Sequence, residues 1–196
     1  AVNLEWLDVA RAASFDQALA IADRSAIPGQ NLVIGARDGR IGWRLLGPLP
    51  MRAATCRATT VGDGTNADAC PPWSFRTDDT PRVIDPASHR LWTANSRVVD
   101  GIALAQLGDG GYVSGARGKQ IRDRLFAKQR FDQRDLLAIQ LDDRALFMQR
   151  WWQLLRDQAA RTQSPALRAL ADVADTWPGH ASTDAVSHRL VRAWRL

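Results

Sequence analysis

Long apolar runs are missing from this chain. None reaches the roughly 18–20 residues that a membrane-spanning helix requires. The N-terminus, AVNLEWLDVA, has no basic start followed by an apolar stretch, so no signal peptide is visible. Histidine and cysteine are scarce, at three and two residues. His89, His180 and His188 are far apart in sequence and sit in loop or surface-helix settings, so no Ser-His-Asp triad can be built from them. Cys56 and Cys70 have no histidine beside them, which leaves too few ligands for zinc. They flank the loop-like stretch RATTVGDGTNADA. They read either as two unrelated small hydrophobes or as one disulfide closing that loop, which would suit an oxidising compartment. The GxSxG elbow, the P-loop, HExxH and paired CxxC are all absent. The glycines at 108, 110 and 111 do not match the dinucleotide fingerprint.

What is present is ordinary for a soluble globular protein: 196 residues, 45% hydrophobic and 24% charged. That length fits one domain, or one and a half, with a real core. The net charge of +5 rests almost entirely on arginine, scattered and often next to acids, as in Arg122-Asp123-Arg124 and Asp143-Arg144. A nucleic-acid binder clusters its cations on one face with aromatics for stacking, so this dispersal argues against one.

Ser14 with Gln17 reads as a capping box that opens a helix through ALAIADR and stops before Pro28-Gly29. Two apolar runs flank Arg37-Asp38-Gly39-Arg40, and Asp-Gly is a strong hairpin signal. The spacing predicts strands at about 31–37 and 40–46, with Pro48 and Pro50 closing the second. Residues 52–80, rich in Thr, Gly, Asp and Pro, predict a long irregular segment anchored by Trp73 and Phe75. A turn at Asp85-Pro86-Ala87-Ser88 follows, then a short strand from His89 to Ala94.

From Ser114 the pattern becomes helical. Apolar positions 121, 125 and 126 predict an amphipathic helix in GARGKQIRDRLFAKQ. Asp132 is a candidate N-cap with Asp135 in the first turn. LLAIQLDDRALFMQRWWQLLRDQAAR keeps helical spacing over about six turns, with Trp151-Trp152 as a core anchor. Ser164 followed by Pro165 opens another helix, ended by Trp177-Pro178-Gly179. Ser182-Thr183-Asp184 opens the last, which runs to Leu196. The fold class is therefore α+β, with a strand-rich segment at 1–113 and a helical segment at 114–196. Both ends fall inside a pattern, which reads as a piece of a larger domain.

Seven motifs occur in order: NLVIGARDGRIGW at 31–43, GPLPMR ending at Arg52, PRVIDP at 81–86, TANSR at 93–97, GARGKQIRDRL at 115–125, FDQRDLLAIQLD at 131–142 and ALRALADVADTWPG at 166–179. Each alone is weak. In series, with matching gaps over nearly the whole chain, the string resembles the nucleophile-bearing subunit of the penicillin acylase family. That resemblance implies part of the αββα scaffold of the N-terminal nucleophile hydrolases, with 1–113 and 114–196 both belonging to one larger acylase domain. It implies an amide hydrolase matured from a zymogen by autocatalytic cleavage. The substrates implied are N-acyl compounds, of the penicillin or cephalosporin side-chain type or the acyl-homoserine lactone type. It also implies a periplasmic or secreted location.

In the family an Asn side-chain amide helps to hold the oxyanion of the tetrahedral intermediate. By motif that residue is Asn95, which without the motifs would read as a turn Asn capping a strand. A following Arg that steadies the nucleophile and this Asn falls at Arg117, where five fixed donors suit a clamp. Four positions depart from the pattern. Ser96 stands where many relatives have a second Asn, and Gly118 and Gln120 replace more usual residues. Where some relatives place a calcium-ligating Asp, this chain has Gln106, with Asp100 and Asp109 nearby. An amide is a poorer calcium ligand than a carboxylate, so no cofactor is assigned.

The family's nucleophile, the helper residues after it and a backbone oxyanion donor lie upstream of the pattern that begins here. The methyl side chain of Ala1 has no lone pair with which to attack. The expectation is that this chain alone is inactive and that its partner is the rest of the acylase polypeptide. Exposed sheet faces would also lead it to self-associate. The competing expectation, from Ser96, Gln106 and the missing nucleophile, is a non-catalytic binding module on the same scaffold.

Overall fold

The computed structural model describes residues 2–53, 56, 65, 68, 70–108 and 111–196. Most of the segment between Cys56 and Cys70, together with Asp109 and Gly110, lies outside the described residues. The chain divides into two compact units, Ala1–Ala127 and Lys128–Leu196. All the described strands belong to the first, and the architecture is mixed helix and sheet.

The first unit starts with a 3-10 helix, Glu5–Arg11, followed by α1, Phe15–Ala22. Ser14 caps α1 by accepting from the Gln17 amide, and Gln17 returns the bond one residue earlier than a capping box requires, to the Ala13 amide. Strands β1 (Gln30–Gly35) and β2 (Ile41–Leu46) form the hairpin expected from Asp38-Gly39. Gly39 at its tip has φ +91°, a conformation that glycine adopts without strain. The sheet order is β1-β2-β5, with β5 at Arg82–Ile84 antiparallel to β2. A second, two-stranded sheet pairs β3 (Leu49–Met51) with β4 (Ser74–Arg76). Pro50 is therefore inside a short strand, which is tolerable in a two-stranded ribbon that is all edge.

β2 is the central strand, and α1 lies along it. A side chain at Gly42 would meet Phe15 at 2.7 Å, so the absent Cβ is what lets the helix dock. Two residues on, Arg44 points to the same side. It is fully buried and donates to the Leu19 carbonyl, to the Asp23 carboxylate at the end of α1, to the Thr77 carbonyl and to the Thr80 hydroxyl. One cation thus ties helix, strand and the approach to β5 together. Trp43 faces the other way, buried, with its indole N–H on Asn31 at 2.8 Å. Cys56 and Cys70 are joined in a disulfide, so the second of the two sequence readings holds.

The second unit is helical: α4 (Gln133–Gln140), α5 (Leu146–Arg161), α6 (Pro165–Val173) and α7 (Val186–Arg195). Asp132 and Asp135 form a reciprocal capping box on α4, and Ser164 caps α6 with Pro165 in its first turn. The six-turn helix expected across 136–161 is instead broken between α4 and α5. Arg144 pairs with His180 as a β-bridge, and Asp143 and Ala145 exchange backbone bonds with Ala181 and Gly179. Those bonds take the backbone groups that a continuous helix would have used. The last helix likewise starts later than expected, because Ser182–Ala185 is held as a turn by the Ala185 amide on the Ser182 carbonyl.

Leu155, Ala174 and Val191 are completely buried at the centre of this unit, with Met148, Ala159 and Ala171 around them. Trp151, Trp152, Trp177 and Trp194 pack against that centre. Trp152 donates to the Ala174 carbonyl at 2.7 Å and stacks on Trp177, so the tryptophan pair anchors the core and meets its polar need.

Candidate active site

After β5 the chain turns at Asp85, which has φ +45° and accepts the Ile41 amide and the Arg40 guanidinium. Those two donors, the backbone one first, hold its carboxyl below the usual carboxylate range. The strand expected over His89–Ala94 does not form. His89 at φ +50° and Asn95 at φ +55° both break an extended run. The stretch is fastened by side chains instead. Arg90 donates to the Leu125 carbonyl, and Trp92 meets Phe126 edge to face with ring centroids 5.8 Å apart.

Leu125 and Phe126 end α3, Ala116–Phe126, the amphipathic helix expected from the sequence. A short helix, α2 (Gly101–Leu107), precedes it. Gly118 is buried, and a Cβ there would lie 3.0 Å from the Ser96 hydroxyl and 3.9 Å from the Ala94 methyl. Two of the departures from the family pattern therefore meet, a small residue on the loop against a residue without a side chain on the helix. This close approach brings Arg117, in the first turn of α3, to Asn95.

The two sequence-predicted site residues are in contact. Arg117 Nη2 donates to Asn95 Oδ1 at 2.6 Å. A guanidinium only donates, so the bond assigns the amide: the carbonyl end faces Arg117 and the NH2 end faces away. The Asn95 backbone carbonyl accepts the Val113 amide at 3.1 Å. Among the described residues Asn95 Nδ2 has no hydrogen-bond partner. Asn95 is exposed and stands in the left-handed backbone region, which Asn tolerates better than most residues. The result is an amide donor oriented from behind by a permanent cation, on a loop stitched to a helix.

Ser96 and Gly118, each one residue from this pair, also line a cleft of about 530 Å³. Its walls include Trp92, Tyr112 and Val113, and its cations are Arg97, Lys119 and Arg122. Arg97 lies over the Tyr112 ring at 5.9 Å, while Lys119 and Arg122 both reach Asp123. The motif reading passed over these cations. A signal was available, because positions 115, 118, 119 and 122 fall on one face of a helix.

Gln106 donates its amide nitrogen to the Asp79 carbonyl, and Asp109 lies outside the described residues. Among the described residues no cluster of three or more His, Cys, Asp or Glu side chains could hold a metal ion. An amide at this position does not fit calcium as a carboxylate would. No helix among the described residues is long and apolar enough to cross a membrane. His180 Nδ1 lies 2.6 Å from the Asp143 carboxylate, while His188 packs against Trp177 in the second unit.

A hairpin, an Asn-bearing loop and an Arg-bearing helix follow one another in this order along the first unit. The chain belongs to the penicillin amidase family, whose model matches residues 2–196. It is similar in structure to a thermostable penicillin G acylase from Alcaligenes faecalis, with a TM-score of 0.61 and 19% identity. The match covers 92% of this chain and 32% of that one, so this chain spans about a third of that structure. At that identity the likeness shows the fold alone, a mixed helix and sheet fold shared with that acylase. No curated protein sequence matches the chain.

Proposed function

We propose that this chain is a segment of an acylase that hydrolyses the amide bond of N-acyl compounds, and that Asn95 Nδ2 is one donor of its oxyanion hole. The observation that carries this reading is the Arg117–Asn95 bond at 2.6 Å. As acyl transfer passes through its tetrahedral intermediate, negative charge gathers on the former carbonyl oxygen. A donor already aimed at that oxygen needs no reorganisation when the charge appears. Arg117 fixes the amide's orientation, and its positive charge makes the neighbouring N–H a stronger donor. In this proposal the rest of the polypeptide supplies an N-terminal Ser. Its Oγ attacks the amide, its own amino group takes the proton, and the amine leaves before water releases the acid. Both units of this chain then belong to one acylase domain, and the chain by itself is inactive. Penicillin or cephalosporin side chains and acyl-homoserine lactones are the substrate types that the family supports. The Cys56–Cys70 bridge supports a periplasmic or secreted location.

The test uses the full-length parent with Asn95→Ala. We expect kcat to fall by roughly 10²–10³ with little change in KM, as for loss of one oxyanion donor. Arg117→Gln, which leaves Asn95 in place but frees its amide, is expected to lower kcat less. An Asn95→Ala parent with undiminished kcat removes the assignment. The competing binding-module reading predicts a parent with no amide hydrolysis at all.

A further inference from the structure

We infer that Arg90 is a positioning residue for Asn95, clasping the loop to the C-terminal end of α3 so that the Asn95 amide is held where the oxyanion forms. This deepens the acylase reading and rests on it for the role of Asn95. The stretch from His89 to Asn95 begins and ends on a left-handed residue, at φ +50° and +55°. Neither is glycine, and such a backbone persists only where neighbouring contacts hold it. An arginine holds each end. Arg117, in the first turn of α3, takes the Asn95 side chain. Arg90 Nη1 donates to the His89 carbonyl at 3.0 Å, while Nε of the same guanidinium donates to the Leu125 carbonyl at 3.1 Å.

Leu125 lies in the last turn of α3, where carbonyls have no partner within the helix. That end of a helix carries partial negative charge, which a permanent cation suits. The Trp92 ring against Phe126 adds an apolar contact beside the bond. The two fastenings thus sit at opposite ends of one rigid element. Along α3, Arg117 and Leu125 are separated by roughly 12 Å. The backbone from Arg90 to Asn95 could reach about 16–18 Å if extended. The loop therefore has slack, and Arg117 alone would leave Asn95 free to shift, because a long flexible side chain follows a moving partner. A catalytic group misplaced by about 1 Å can cost about a hundredfold in rate. Among the described residues that wall the cleft, Arg90 is absent, so its influence on the chemistry runs through the loop.

The test is a double-variant cycle in the full-length parent. Arg90→Leu keeps an apolar stem and removes both donors. It is expected to lower kcat roughly tenfold with KM within about twofold, and to add little to the loss in an Asn95→Ala parent. Arg90→Lys, which still carries a charged donor to the Leu125 carbonyl, is expected to recover most of the rate. The same factor lost in the Asn95→Ala background overturns the proposal, because Arg90 would then act on the fold and not through Asn95. An undiminished kcat in Arg90→Leu overturns it as well, as does a lysine variant no faster than the leucine one. Phe126→Ala opens the same clasp at a position 54% exposed, and takes the place of Arg90→Leu in the cycle if that variant does not fold. A second readout needs no activity. The Val113 amide donates to the Asn95 carbonyl at 3.1 Å, so hydrogen exchange at Val113 in the parent should quicken in Arg90→Leu. A parent that hydrolyses no amide overturns the acylase reading, and quickened exchange at Val113 then leaves the clasp standing. Unchanged exchange overturns the clasp whatever the parent hydrolyses.

Discussion

The two units of this chain are held together by different chemistry. In the first, the most buried large side chain is a cation, Arg44, and its donors join α1, β2 and the approach to β5. In the second, the fully buried residues are Leu155, Ala174 and Val191, ringed by tryptophan. A core built from directed bonds fixes orientation as well as position. A core built from apolar burial fixes volume and tolerates sliding. The candidate site, an amide that must point one way, lies in the unit where directed bonds already organise the backbone.

The sharpest way to break the contrast is Arg44→Met. It leaves Asp23, Thr80 and two carbonyls without their donor, and breaking a buried pair costs about 3–5 kcal/mol. The lower end is expected, because the Asp23 side chain is 32% exposed and Arg82 lies 3.6 Å away. Hydrogen exchange should show protection lost over α1 and β2 and kept over α5 and α7; uniform loss would contradict the division. Leu155→Ala is the mirror experiment. Removing a fully buried leucine costs about 3 kcal/mol, and here exchange should rise across α5, α6 and α7 and stay unchanged over α1 and β2.

Gly118→Val is expected to lower stability by about 1 kcal/mol through overpacking against Ser96. Its larger effect is on orientation: α3 moves off the loop, and the Asn95 side-chain NH2 resonances should shift toward solvent values. Unchanged resonances would mean that the close approach does not hold the pair.

The smallest expected effect is in acid. His188 is held below its ordinary pKa, first by burial and then by Arg192. Below about pH 6.5 the unfolded chain therefore binds a proton that the folded helical unit resists, and stability falls as pH drops. Asp85 works in a lower window. Its depressed pKa contributes stability fully present above the unfolded value near about 4, lost as pH falls through the folded value. Acid titration should show helical-unit loss first and sheet-unit loss later. His188→Gln should flatten the first step, and a first step that persists in that variant would rule out His188 as its source.

Local chemistry by itself determined the hairpin at Asp38-Gly39, the caps at Ser14, Asp132 and Ser164, helix α3 and the order of motifs that marks the family. Turn and cap residues act within three or four positions, so their effect is readable from sequence. The identities of Asn95 and Arg117 as a pair were legible only through that motif order. Only the tertiary structure decided what lies beyond such reach. The expected strand at 89–94 became a side-chain-fastened loop because Arg90 and Trp92 found partners on α3. The long helix broke because Arg144 found His180. Arg97, Lys119 and Arg122 became one cleft because Gly118 let a helix settle against Ser96. Each depends on residues 20 or more positions apart meeting in space, which spacing along the chain does not encode.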